Sequence, residues 1–142
     1  MNKSKWVSDI HRMQTKFNTR DVVEKMSPDM LYKFLEFRGK MLQEEVDEYH
    51  TALTSKDPAQ NEDVVDAIID LCVFAIGTLD ALGVDADEAW DRVFQANIVK
   101  EVGVKATRPN PLGFPDLIKP EGWKAPHHED NIGLLSRLYE TD

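Results

Sequence analysis

A chain of 142 residues, 42% hydrophobic and 30% charged, is long enough for one domain with its own apolar core. Its formal net charge of −9 and pI near 4.9 exclude polymeric nucleic acid as a bulk electrostatic partner, because binding many phosphates needs a surplus of Lys and Arg. The single cysteine, Cys72, excludes an internal disulfide, the first residues lack a signal-peptide core, and Asp66, Asp70 and Asp80 interrupt the longest apolar run, so no membrane span is expected and the cytoplasm (a host's, for a viral protein) is the expected compartment.

Apolar residues recur at Trp6, Ile10, Met13 and Phe17 with the period of a first helix. A short helix is expected over residues 21–25. Ser27-Pro28-Asp29 then supplies a cap, a proline for the first helical position and an acid for the first turn, so a long helix starts there and runs to about Ser55. The run KDPAQNED breaks it. A third long helix is expected over about 62–82, closed by Gly83. Asp85 and Glu88 have the spacing of a capping box and open a fourth, which carries Ala89, Trp90, Val93, Phe94 and Ile98 and ends near Gly103. The remainder is rich in proline and is expected to be an extended tail, about 104–142, closed by a short helix over 132–139. Nothing alternates with period two, so the fold class is all-α, a four-helix-bundle type in a single domain.

Two acidic clusters lie on consecutive helices. Glu44 and Glu48 are four apart and Glu45 and Glu48 three apart, which places their carboxylates on one side of the helix, with Asp47 directed elsewhere. Such a run by itself is most often a solvated stripe paired with lysines. The next helix, VVDAIIDLCVFAIGTLDALG, is apolar nearly all round, as befits burial in a bundle, yet Asp66 and Asp70 share one face of it and Asp63 extends that face. Ionised carboxylates there cost several kcal/mol unless compensated. Their antiparallel neighbours carry the same sign, and Arg38 or Lys40 supplies too little positive charge for five acids. Divalent cations resolve the conflict, and an all-oxygen donor set suits Mg²⁺ or Mn²⁺ rather than zinc. A di-iron site is not expected, since Asp47-x-x-His50 has no histidine counterpart on the third long helix.

These residues resemble the MazG-like all-α nucleoside triphosphate pyrophosphohydrolases, which include phosphoribosyl-ATP pyrophosphohydrolase. Glu44-Glu45-Val46-Asp47-Glu48 matches the family's E-E-x-x-E. In its E-x-x-D half Asp70 takes the aspartate place while the glutamate position falls on Ala67, and the Asp66-x-x-x-Asp70 spacing is similar to the variant of the phage-type and phosphoribosyl-ATP-like branch. Asn97 and Lys100 match an N-x-x-K signature, DLIKPEGWKAP is similar to the family's C-terminal segment, and IHRMQTKF to its opening helix. The resemblance therefore covers most of the chain.

It implies cleavage of a (d)NTP between the α and β phosphates, giving the monophosphate and pyrophosphate, in control or sanitation of the nucleotide pool. Glu44, Glu45, Glu48, Asp66 and Asp70 would hold two or three Mg²⁺ or Mn²⁺ ions, which reverse the local charge toward a triphosphate. Whether Glu62 or Asp63 joins them stays open, as does which of Glu44 and Glu45 acts as base toward water. Asn97 and Lys100, with Lys119, Trp123 and Lys124 of the tail, are the candidates for holding phosphate or base. Each has a bland alternative: Lys100 as a helix-end side chain, the tail residues as a strap on a neighbouring subunit. Trp90 and Trp6 sit on apolar stripes and are expected in the core, as is Cys72. The family also implies self-association to a dimer or tetramer. A purine substrate, dGTP, is the family-based guess. The competing reading is a non-catalytic acidic helical module that binds a basic partner or a structural cation, in which Asp66 and Asp70 would face solvent.

Overall fold

The computed structural model describes residues 4–105, 107, 112–113 and 116–140. Five α-helices dominate: α1 (Lys5–Lys16), α2 (Thr19–Glu24), α3 (Pro28–Thr54), α4 (Asn61–Ala81) and α5 (Ala86–Ile98). The all-α expectation holds. Residues 1–86 with 131–142 form one compact unit and residues 87–130 a second.

Helix boundaries follow local chemistry. Ser4 accepts from the Val7 amide to start α1, and Asn18 at φ 59° turns the chain sharply into α2. Ser27 accepts from the Met30 amide at 3.2 Å with Pro28 at the first helical position, as the sequence predicts for α3. Asp57 caps a 3-10 turn, Pro58–Gln60, that leads into α4. Helix α4 ends one residue before the expected 82, and Gly83 follows at φ 74°.

In the larger unit α3 and α4, joined by a short turn, pack along their lengths, and α1 and α2 pack on α4. Gln14 meets Gly77 and His11 meets Asp80, so rising numbers on α1 meet falling numbers on α4 and the two run antiparallel. The apolar core gathers Val23, Leu31, Ala81 and Leu82, with Phe34 and Leu35 against it. The C-terminal segment closes this core by specific bonds. The Leu134 amide donates to Leu82 O at 2.8 Å, and Asn131 exchanges hydrogen bonds with the backbone of Asp85. Arg137 donates to the carbonyls of Glu24 and Met26. Gly133 allows this approach: a Cβ there would lie 2.1 Å from Leu82 O.

Several expectations are corrected. Helix α5 stops at Ile98 rather than near Gly103, because the chain turns into a strand. This β1 (Glu101–Gly103) pairs antiparallel with β2 (Asp116–Ile118) in a ribbon that three-residue strands are too short to announce by alternation. The terminal helix over 132–139 is instead a 3-10 turn, Gly133–Arg137. Of the proline-rich tail, 108–111 lies outside the described residues. Trp90 is 64% exposed and Trp6 48%, so neither is core, and Cys72 is half-buried. Helix α4 is not buried all round either: Val65 is 59% exposed, and Ile68 and Ile69 also face out. A three-layer contact with α1, α2 and α3 leaves one stripe of it uncovered, and periodicity alone cannot tell that stripe from a core face.

Candidate functional site

Glu45 lies at the seam of α3 and α4 and is 8% exposed. Its Oε2 is buried with no hydrogen-bond partner among the described residues. Burial pushes its carboxyl above the usual range; the negative charge of Glu48, a hydrogen bond with Glu48, and the charges of Asp70 and Glu44 push in the same direction. Three of the other four acids expected to share a site thus act on Glu45, and Asp70 does so from the facing helix.

Beside them a cavity of about 500 Å³ is lined by Asp47, Glu48, Asp63, Asp66 and Asp70, together with Thr51, Ala52 and Gln60. Asp47 therefore faces the same space as Glu48, contrary to the expectation that it is directed elsewhere, although Gln43 also donates to it at 3.0 Å. Asp66 and Asp63 are exposed and Asp70 half-buried. Glu44 is exposed and lies outside the cavity lining. Among the described residues no three His, Cys, Asp or Glu side chains are gathered closely enough to enclose an ion. The donor set nonetheless suits a hard divalent cation: the candidate side chains are all carboxylates, they lie on two packed helices, and no cation pairs with the buried Glu45 oxygen among the described residues.

Arg38, considered as a source of that charge, does not supply it. It sits two turns before Glu45 on α3, buried, with its guanidinium 5.3 Å from the Phe34 ring and 5.9 Å from the Phe74 ring. Burial pulls its pKa down. Near it, Gln14 donates to Gly77 O at 2.7 Å. At the far end of α4, Asp80 is buried and His11 Nδ1 lies 2.8 Å from its Oδ1. Gln14 and the buried contact of Asp80 escaped the sequence reading, although each is a polar residue at a core-facing spacing: Gln14 is four after Ile10 and Asp80 three after Gly77.

The remaining candidates lie in the 87–130 unit. Trp123 gathers two of the others: Lys100 Nζ and Lys119 Nζ stand 5.0 and 4.9 Å from its ring centroid, while its Nε1 donates to Ala96 O at 2.6 Å. Asn97 is half-buried next to Ala96, and Lys124 is exposed next to Trp123. Trp123 and Lys124 line a second, open cavity of about 950 Å³ with Arg92, Gln95 and Pro126. Arg92 fixes that unit: it bonds Glu88 at 3.0 Å, chelates Asp130 at 2.6 and 3.0 Å, and donates to His127 O at 2.9 Å. Its pKa rises and that of Asp130 falls, chiefly through their mutual hydrogen bonds.

No curated protein matches this chain. The sequence profile of the phosphoribosyl-ATP pyrophosphohydrolases does match, over residues 14–97, a span that begins at Gln14 and takes in both acidic clusters and Asn97. The chain belongs to the phosphoribosyl-ATP pyrophosphohydrolase family of the MazG-like all-α superfamily, and its chemistry is that of a pyrophosphohydrolase acting on nucleotide phosphoanhydride bonds.

Proposed function

We propose that this protein is a Mg²⁺- or Mn²⁺-dependent (d)NTP pyrophosphohydrolase that cleaves between the α and β phosphates and releases pyrophosphate. The observation that carries the reading is Glu45: a buried carboxylate with an unpaired oxygen, set among Glu44, Glu48 and Asp70. A buried carboxyl set among like charges lowers the stability of a merely structural seam. Glu44, Glu45, Glu48, Asp66 and Asp70 would hold the ions, with Asp47 and Asp63 within reach of the same cavity. When bound, the ions neutralise the triphosphate and lower the pKa of attacking water. The chain's own task is then to hold those ligands at fixed spacing on two helices, and to let Glu44 or Glu45 accept a proton from water. Asn97, Lys100, Lys119, Trp123 and Lys124 are assigned to phosphate and base. In this reading Lys100 and Lys119 exchange the indole face of Trp123 for an anion.

The module reading gains one point: Asp63 and Asp66 are exposed, as a docking face requires. A basic partner alone gives no account of the buried Glu45 oxygen. The exposed stripe Val65, Ile68 and Ile69 suits burial against a second copy, so a homo-oligomer in the cytoplasm remains part of the proposal. Among the described residues no single helix is long and apolar enough to cross a membrane.

The test is a panel of the eight common (d)NTPs and phosphoribosyl-ATP, with Mg²⁺ or Mn²⁺, assayed for pyrophosphate. The expected result is metal-dependent pyrophosphate from at least one (d)NTP, dGTP being the first to try. Turnover of phosphoribosyl-ATP alone would replace the substrate; no pyrophosphate from any of them would remove the enzymatic reading.

A further inference from the structure

Arg38 is a buried cation without an anion. It is 8% exposed, its Nε is buried with no acceptor, and no carboxylate pairs with it among the described residues. A guanidinium does not shed its proton in a protein, so the charge stays. The flanking rings of Phe34 and Phe74 offset only part of the cost of removing it from water. Six acids lie on the same helix within ten residues, Asp29, Glu36, Glu44, Glu45, Asp47 and Glu48, yet none pairs with it. Arg38 thus keeps donor capacity that the folded chain does not use.

Its position says for what. Arg38 precedes Glu45 by seven residues on α3, and Gly77 follows Asp70 by seven on α4, so both helices place the guanidinium about 10 Å along the seam from the acids. That is the reach of a nucleoside from its α-phosphate to the far edge of its base. At this level Gly77 presents no side chain, where a Cβ would sit 3.6 Å from Arg38 Nη2 and 3.5 Å from Gln14 Nε2. The half-buried rings of Phe34 and Phe74 flank the guanidinium.

We infer that Arg38 reads the base of the nucleotide, and that it selects a purine with a 6-oxo group. This rests on the pyrophosphohydrolase reading, which places the phosphates at the acidic end of the seam. A guanidinium only donates, and O6 and N7 of a 6-oxopurine are two adjacent acceptors that it meets in parallel. Adenine sets an amino donor in place of O6, and donor then faces donor. Gln14 donates its amide nitrogen to Gly77 O, which leaves its oxygen as the acceptor of the group, suited to the N1–H beside O6.

The test uses nucleoside monophosphates, which need no turnover. Calorimetry of the full chain with dGMP and dAMP should show dGMP bound at least about tenfold more tightly. Arg38→Gln and Arg38→Met should each bring that ratio close to one. Arg38→Met should also melt no lower than the wild type, because it removes an uncompensated buried charge; a guanidinium needed only for packing would give a lower melting temperature. Equal affinities in the wild type, no binding of dGMP, or a preference retained in either folded variant overturns the inference. Pyrophosphate release by the wild type in the nucleotide panel is scored separately, so a failure of base reading is distinguishable from a failure of the catalytic proposal.

Discussion

Two arginines, Arg92 in one unit of this protein and Arg38 in the other, show two different treatments of a guanidinium. Arg92 uses its guanidinium fully, on Glu88, Asp130 and the His127 carbonyl. Bidentate, charge-assisted bonds of this kind hold a segment that has few apolar contacts of its own. Trp123 is treated likewise, with its indole N–H on Ala96 O. Arg38 Nε and Glu45 Oε2 on α3 are instead buried without partners, as are Asp80 Oδ2 on α4 and His128 Nδ1 in the smaller unit. Paired groups build the fold. Unpaired ones at a helix seam lower its stability and are retained where a ligand completes them.

The sharpest way to break this contrast is at the acids. Glu48→Gln and Asp70→Asn should each reduce pyrophosphate release by at least about a hundredfold, while circular dichroism stays that of the wild type. Full activity in both would return the acidic cluster to the status of a charged surface.

Next in size is a stability gain. Glu45→Gln removes a carboxylate held among like charges, and should raise the melting temperature of the metal-free protein at pH 7 by a few degrees, the shift that about 1 kcal/mol produces. The sign of the pH dependence follows from the raised pKa. The native state keeps the Glu45 proton over a pH range in which the unfolded chain has lost it, so stability is highest below the usual carboxylate pKa and declines as pH rises through the native value. The exposed Asp9 and Asp130, whose pKa values are lowered by Lys5 and Arg92, act in the opposite sense and lose their contribution as pH falls. The difference in melting temperature between Glu45→Gln and wild type should therefore widen from pH 5 to pH 8. A constant difference would mean that Glu45 does not titrate as its surroundings demand.

The smallest expected effect is in the paired region and has the opposite sign. Trp123→Phe keeps an aromatic face for Lys100 and Lys119 but loses the bond to Ala96 O, and should cost about 1 kcal/mol in chemical denaturation. A stabilising result would place Trp123 with the ligand-facing groups instead.

Much of this was legible along the chain. The start of α3 was written in Ser27-Pro28-Asp29, and the end of α4 in Gly83, because caps are local chemistry. The acidic spacings on α3 and α4 were legible for the same reason: a helix fixes which residues share a side. Helix period cannot say what covers a side. It assigned Trp6, Trp90 and the whole girth of α4 to a core, whereas the fold leaves Trp90, Val65 and Ile68 exposed. It also sent Asp47 away from the cavity that Asp47 lines.

The amino-acid order by itself determined the helices, their caps, the all-α class and the two sets of carboxylates, since these depend on neighbours within a few residues. Only the tertiary structure decided that Glu45 and Arg38 would be buried unpaired on one seam, that Gln14 would meet Gly77, and that Lys100 and Lys119 would converge on Trp123. Those facts join residues far apart in the chain, and burial, desolvation and pairing exist only once distant segments have excluded water between them.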